Sequence, residues 1–224
     1  MPKYNLNVLD KELSCAPFNS KEGQNYFSAM ACAANMAFVN RQVIMHRVRE
    51  CFQKVFNLSP EDMEMNLVYD VAHNIAKIEE HKIDDKMKKV IMHRKGATRA
   101  FGPSRMNNHK IFSKTGQPVI VGGSMETGSY ILAGTDNSEK TFCSTAHGAG
   151  RIMSRAQAKR EVRGEALQKR MLEKGIYVKS ASMSGLAEEA GSAYKDVNSV
   201  VDTMEKAGIT KKVVALLPIG NIKG

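Results

Sequence analysis

Between Ser20 and Phe56 the apolar residues Phe27, Met30, Ala34, Ala37, Phe38, Ile44, Val48, Cys51 and Val55 return at helical intervals. Ser20, just ahead of Lys21-Glu22, offers a side-chain oxygen to the first free amides of a helix. The pattern predicts one long core helix, whose several methionines read as packing residues. From Asn66 the period changes to short apolar runs, Leu67 to Ala72, Ile75 to His81 and Val90 to Met92. These are predicted strands, the last two joined as a hairpin through Asp84-Asp85-Lys86.

A polar loop then occupies Gly102 to Gln117, and strands are predicted at Val119 to Val121 and Ser129 to Leu132, flanking a Gly122-Gly123-Ser124 bend. Further on come a basic helix opening at Arg151, a short strand at Ile176 to Val178, and a helix from Tyr194 to Ala207 capped by Gly208. A last apolar stretch, Val213 to Leu217, stops at Pro218. Strands and helices fall in blocks without βαβ alternation, which predicts a mixed α+β layered fold. With no internal repeat, low-complexity tract or linker, residues 1–224 read as a single unit.

A chain of 224 residues that is 42% hydrophobic can bury a sizeable core. The sequence has no 18-residue apolar run, and Met1-Pro2-Lys3-Tyr4-Asn5 lacks a hydrophobic signal core, so a soluble intracellular protein without a membrane partner is expected. Cys15, Cys32, Cys51 and Cys143 lack paired or Cys/His ligand spacing, so reduced thiols are expected rather than a disulfide framework or a structural zinc site.

The net charge of +10 favours a polyanionic partner. Arg151, Arg155 and Lys159 recur every fourth residue, with Arg160, Arg163, Lys169 and Arg170 extending the cluster. Such a stripe is either a solvated helix face or a track for a nucleic-acid backbone. Its start favours the track, because it adjoins Cys143-Ser144-Thr145-Ala146-His147-Gly148-Ala149-Gly150-Arg151. Gly148 and Gly150 let the backbone approach a ligand, and the free amides of a helix opening at Arg151 suit an anion. His147 in that bend is a candidate metal ligand or a nucleophile toward phosphorus. The bland alternative is a glycine-rich connector carrying a structural histidine.

Several blocks in order resemble the RtcB family of GTP-dependent RNA ligases, and the eukaryotic-type members most. They are Cys15-Ala16-Pro17, Gly23-Gln24-Asn25-Tyr26, the run Ala33 to Arg41, and Tyr69 to Ala76 with its His73-Asn74 pair. His93 to Phe101, Gly122 to Met125, the His147 block, Tyr194-Lys195-Asp196-Val197 and the terminal Ile222-Lys223-Gly224 complete them. The resemblance implies an RtcB-like fold of which this chain is the C-terminal portion. Full-length members are roughly twice as long, and their upstream half carries an Asp-x-x-Cys pair and a Gly-x-x-Asn-His-type motif that supply further metal ligands. Neither is found here, since Glu12, Ala29, Val48 and Lys140 stand three places before the four cysteines.

The resemblance further implies that an RNA 3′-phosphate or 2′,3′-cyclic phosphate is joined to a 5′-hydroxyl, as in tRNA splicing and RNA repair. His147 resembles the guanylylated histidine and His73 a manganese ligand. Asn74, Gly122, Gly123, Ser124, Met125, Ser129, Gly148, Ala149 and Gly150 resemble residues around the bound GMP. Tyr194 resembles the aromatic that stacks on guanine, and Lys223 the lysine that reaches the base. Glu126 departs from the family's glycine. Arg94, Lys95 and Arg99, with Arg151, Arg155 and Lys159, are candidate contacts to RNA phosphates. The implied partners are RNA such as tRNA halves, GTP, Mn2+, archease or a ligase complex, and a separate N-terminal half. The implied location is the cytoplasm and also the nucleus. A non-catalytic RNA- or guanine-nucleotide-binding module, deprived of metal chemistry, is the competing expectation. His46, His81 and His109 match no family ligand position and read as surface or structural residues.

Overall fold

A computed structural model describes residues 2–218. In chain order its elements are α1 (Lys21–Phe56), β1 (Asn74–Ile83), β2 (Lys86–Lys95), β3 (Ala97–Arg99), α2 (Phe112–Thr115), β4 (Pro118–Gly122), β5 (Ser129–Gly134), β6 (Ser144–Ala146), α3 (Arg155–Glu161), α4 (Gly164–Glu173), α5 (Met183–Glu188), α6 (Val197–Lys206) and β7 (Thr210–Leu216). The architecture is the expected mixed α+β. Two small antiparallel pairs, β1-β2 and β3-β6, accompany an antiparallel sheet of order β4-β5-β7.

Helix α1 starts and stops where the periodicity placed it. The Ser20 hydroxyl accepts from the Gly23 amide at 3.0 Å, and Asn57 closes the other end in the left-handed region at φ 53°. Its expected role as a core helix is corrected, because only Gly23 is buried along it. Met36 and Val55 are three-quarters exposed, and Tyr26, Val39 and Phe56 more than half. A 3.6-residue period reports that a face is apolar; what covers that face is a tertiary matter. The helix is tied to the body by the Ala76 amide on Met30 Sδ, by Arg41 on Asp70 at 2.7 Å, and by Arg49 on the Met65 carbonyl.

The hairpin runs in register from Asn74 opposite Lys95 to Ile83 opposite Lys86. Asp84 and Asp85 alone make the turn, with φ of 50° and 59°, the two left-handed positions that match the twist of the flanking strands. Two predicted strands are absent. Leu67 to Ala72 and Ile176 to Val178 run as irregular chain, for neither has a neighbouring strand to complete a hydrogen-bond ladder. Ile176 and Val178 instead pack beside α4 and α5, against a core of Met125, Leu167, Met171, Leu186 and Ala190.

The main core lies between the three-stranded sheet and α6. Val197, Val201 and Met204 of the helix meet Val119, Val121 and Leu132 of the sheet, with Ala100 and Ala149 closing the edge. Helix α6 begins at Val197 rather than Tyr194 because Asp196 caps it, accepting from the Asn198 and Ser199 amides. Gly208 ends it at φ +71°. Beyond Thr210, which is buried, every residue of β7 is exposed.

The single basic helix expected from Arg151 is also corrected. Arg151 lies in an isolated bridge with Tyr194, helix α3 begins at Arg155, and Val162 breaks the path with extended backbone at φ −121°, ψ 129°. The break is forced on the far side, where Gly164 opens α4 so close to α5 that a Cβ would stand 2.2 Å from the Met183 carbonyl oxygen. Arg151, Arg155 and Lys159 therefore do not form one helical stripe.

Candidate functional site

His73 and His147 are far apart in sequence, and the short strands bring them together. His73 sits in a bend immediately before β1, not at the end of a strand, and its carbonyl accepts from the Gly96 amide at 2.9 Å. Gly96, at φ +67°, turns β2 into β3, and the Thr98 hydroxyl donates to the Ala72 carbonyl. Strand β3 pairs with β6 from Ala97 opposite Ala146 to Arg99 opposite Ser144, so His147 leaves β6 beside the hairpin's open end. The two imidazole rings stack with centroids 4.2 Å apart and planes 13° from parallel.

Half-burial pushes the His147 pKa below its ordinary value of 6.5, and the charges of His73 and Lys95 act in the same direction. The shift favours the neutral ring. A neutral imidazole is the form that attacks an electrophile or binds a metal.

The glycines beside His147 serve close backbone approach. Gly122 and Gly148 form a parallel bridge in which the Gly122 amide donates to the His147 carbonyl and the Ala149 amide to the Gly122 carbonyl. A Cβ on Gly148 would stand 3.2 Å from the Gly122 oxygen. Gly150, at φ +77° with open space beside it, accepts from the Lys195 amide. The anion-binding helix start expected at Arg151 is not there, since α3 opens farther on, at Arg155 after the Ser154 cap.

The bend from Gly122 to Ser129 is an internally bonded loop. Gly123 donates to the Gly128 carbonyl, and Ser124 Oγ accepts from the Glu126 amide while bonding Thr127 Oγ1. Ser124 is buried, Met125 belongs to the second core, and Ser129 pairs with Gly122 and Leu216. Glu126 accepts from Arg170, Lys174 and the Gly191 amide. Burial opposes its ionisation, but those three partners outweigh burial and hold the carboxyl below the ordinary carboxylate range.

Tyr194 is half-buried, with its hydroxyl donating to Glu189 and accepting from Arg151, whose guanidinium lies over the ring at 4.8 Å. Asn74 is exposed at the first ladder position of β1, opposite Lys95, which is exposed as well. Lys223 lies outside the described residues.

The cations grouped as phosphate contacts have unlike surroundings. Arg94 is not a surface residue: its side chain is 2% exposed and forms a two-pronged pair with Glu79, both bonds 2.8 Å, and further bonds to Ser144 and the Phe142 carbonyl. Arg99 lies over Phe101 and donates to Gln117. Arg151 donates to the Met153 and Glu188 carbonyls. Arg155 and Lys159 share the Glu188 carboxylate, Arg155 at 3.4 Å. Sequence reasoning missed the Glu79–Arg94 clamp and the β3-β6 pairing that positions His147, because neither a diagonal contact across a hairpin nor the pairing of strands distant in sequence leaves a local pattern. It also took His81 as surface or structural without foreseeing its neighbours; the ring is almost fully buried.

The molecule is therefore an α+β scaffold that holds a pair of stacked imidazoles at a glycine-lined bend. A family model described as tRNA-splicing ligase RtcB matches residues 1–224, and the chain belongs to the RtcB family. It is 54% identical over 223 residues to the tRNA-splicing ligase RtcB of Archaeoglobus fulgidus, covering 99% of this chain and 46% of that protein. Its identity to the protein of that name from Pyrococcus abyssi is 55% over 223 residues, 99% of this chain and 24% of the relative. The Aeropyrum pernix protein is 48% identical over 224 residues, 100% of this chain and 47% of its own length. The chain thus spans between a quarter and about half of the curated relatives it matches. No helix among the described residues is long and apolar enough to cross a membrane.

Proposed function

We propose that this chain is the GTP- and RNA-handling portion of an RNA ligase that joins 3′-phosphate or 2′,3′-cyclic phosphate ends to 5′-hydroxyl ends. The observation that carries the reading is the His147 imidazole, stacked on His73 at 4.2 Å beside the Gly122/Gly148 bridge, where burial lowers its pKa. A His147 ring nitrogen attacks the α-phosphorus of GTP, a P–N bond forms, and pyrophosphate leaves. The GMP then passes to the RNA 3′-phosphate, and His147 recovers its free imidazole. The 5′-hydroxyl oxygen attacks the activated phosphorus and GMP departs. The backbone amides of Gly148 and Gly150 would hold phosphoryl oxygens, and the family resemblance gives Tyr194 and Lys223 the reading of the guanine.

His73 fits a manganese site as one imidazole ligand. It cannot complete one, because among the described residues it belongs to no cluster of three His, Cys, Asp or Glu donors. Bound manganese would neutralise triphosphate charge. The remaining ligands would come from polypeptide that the longer relatives possess, proposed to be an N-terminal half. The apolar residues exposed along α1 and on β7, Val213 and Leu216 among them, support such a covering. RNA ends such as tRNA halves are the proposed substrates, archease or a ligase complex the proposed helpers, and cytoplasm or nucleus the proposed location.

The test is incubation with α-labelled GTP and manganese, with and without the polypeptide supplying the relatives' remaining length, followed by denaturing electrophoresis. A covalent GMP adduct that needs both parts and disappears in His147→Ala is expected. Label retained in His147→Ala would overturn the assignment, and salt-sensitive RNA binding with no adduct in any combination would favour the non-catalytic module.

A further inference from the structure

Away from the stacked histidines, β1 and the segment leading into β6 bring together a second set of donor atoms. His81, Glu139 and Cys143 each offer one ligand atom, and the three atoms lie within 4.8 Å of one another. Their positions, 81, 139 and 143, match no ligand spacing, which is why the sequence pointed to no metal there.

The imidazole of His81 is the decisive member. Its side chain is only 1% exposed, Nε2 lies 3.0 Å from Glu79 Oε2, and Nδ1 has no hydrogen-bond partner. A buried ring nitrogen left without a partner is costly unless something occupies its lone pair or takes its proton. Glu79 is itself fixed by Arg94, so the ring is oriented by an anchored carboxylate, as metal-bound imidazoles commonly are. The Phe142 and His81 rings pack edge to face with centroids 5.5 Å apart, which limits rotation of the imidazole.

Two consecutive left-handed residues, Phe142 at φ 51° and Cys143 at φ 50°, bring the buried thiol into this corner. Glu139 closes the open side, its side chain 40% exposed, with Arg105 bonded to it at 2.5 Å.

We propose that His81, Glu139 and Cys143 bind one zinc ion, with solvent as the fourth ligand. A nitrogen, a sulfur and an oxygen donor match the borderline-soft preference and four-coordinate geometry of zinc, whereas a hard ion such as magnesium would select oxygen. On binding, the S–H bond of Cys143 breaks, the S–Zn bond forms, and the proton passes to water. Burial pushes that thiol up to about 11, so without metal it is neutral and unreactive. The ion would pin the β1-β2 hairpin, which begins just after His73, to the segment that delivers His147. The ion takes no part in the proposed guanylylation chemistry.

The test uses the chain with its exposed cysteines Cys15, Cys32 and Cys51 changed to serine, so that Cys143 is the one thiol left. Titration with Co2+, a spectroscopic stand-in for zinc, should give a thiolate-to-metal charge-transfer band saturating at one equivalent, and Zn2+ should abolish it. Cys143→Ser should remove the band. Glu139→Gln, at an exposed carboxylate where the fold is not at risk, should weaken binding on the order of tenfold or more, with circular dichroism unchanged. Absence of the band in the triple-serine protein, or an affinity untouched by Glu139→Gln, would overturn the proposal.

Discussion

Changing Glu79 to Gln keeps the shape of the side chain and removes its charge, which makes it a sharp probe of the clamp that aligns the site. Arg94 and Glu79 have side chains 2% and 7% exposed and face each other through two bonds of 2.8 Å. Without the carboxylate, the guanidinium stays buried with an uncompensated charge, a change that costs about 3–5 kcal/mol in comparable buried pairs. Against a typical domain stability of about 5–15 kcal/mol that is a large fraction. Urea unfolding followed by far-ultraviolet circular dichroism should show the midpoint falling accordingly. The double change Glu79→Met with Arg94→Met should cost much less than the two single changes summed, because it removes both charges together. A loss below about 1 kcal/mol for Glu79→Gln, the value of a solvated surface pair, would refute the reasoning. The pH dependence follows from the same geometry. Burial raises the Glu79 pKa, but Arg94 and His81 together outweigh burial and hold it below its ordinary 4.5. The pair's contribution should therefore be present above pH 4.5 and lost as pH falls through the depressed value, and Glu79→Gln should flatten that limb.

The lowered His147 pKa predicts that adduct formation, where reconstituted, persists as pH falls through 6.5 and declines only below; a midpoint above 7 in the pH profile would contradict the buried, neutral nucleophile. Arg155 and Lys159 share Glu188, so if they meet RNA phosphates, Glu188→Gln should steepen the salt dependence of single-strand binding by up to about 0.7 per freed cation. An unchanged slope in a salt titration would mean that neither side chain meets RNA phosphates. Gly123→Ala should deform the loop ahead of Ser129, because the new methyl would stand 2.3 Å from the Gly128 carbonyl oxygen; thermal unfolding should show a loss of about 1–3 kcal/mol, and a wild-type transition would mean that the loop is slack.

Helix α1 from Lys21 to Phe56, the Asp84-Asp85 turn and the Gly208 stop were legible because each is written in neighbouring residues: a 3.6-residue period with a serine cap, two side chains tolerant of positive φ, and a glycine after the last helical turn. The motif blocks likewise single out His73 and His147, since family membership is carried by residue order. What local pattern could not decide was who stands opposite whom. Leu67 to Ala72 is as apolar as a strand but has no ladder partner, while Ala97–Arg99, unremarkable in sequence, becomes one by pairing with Ser144–Ala146. The regular spacing of Arg151, Arg155 and Lys159 suggested one stripe, yet the close approach at Gly164 and the break at Val162 divide the helix, and Glu188 gathers two of the cations. Burial of Arg94 and His81, and exposure of the apolar face of α1, depend on contacts between distant segments. The sequence determined which residues can do chemistry and which turns the backbone can take; the tertiary structure alone decided which of those residues meet, because hydrogen bonding, desolvation and close packing act through space.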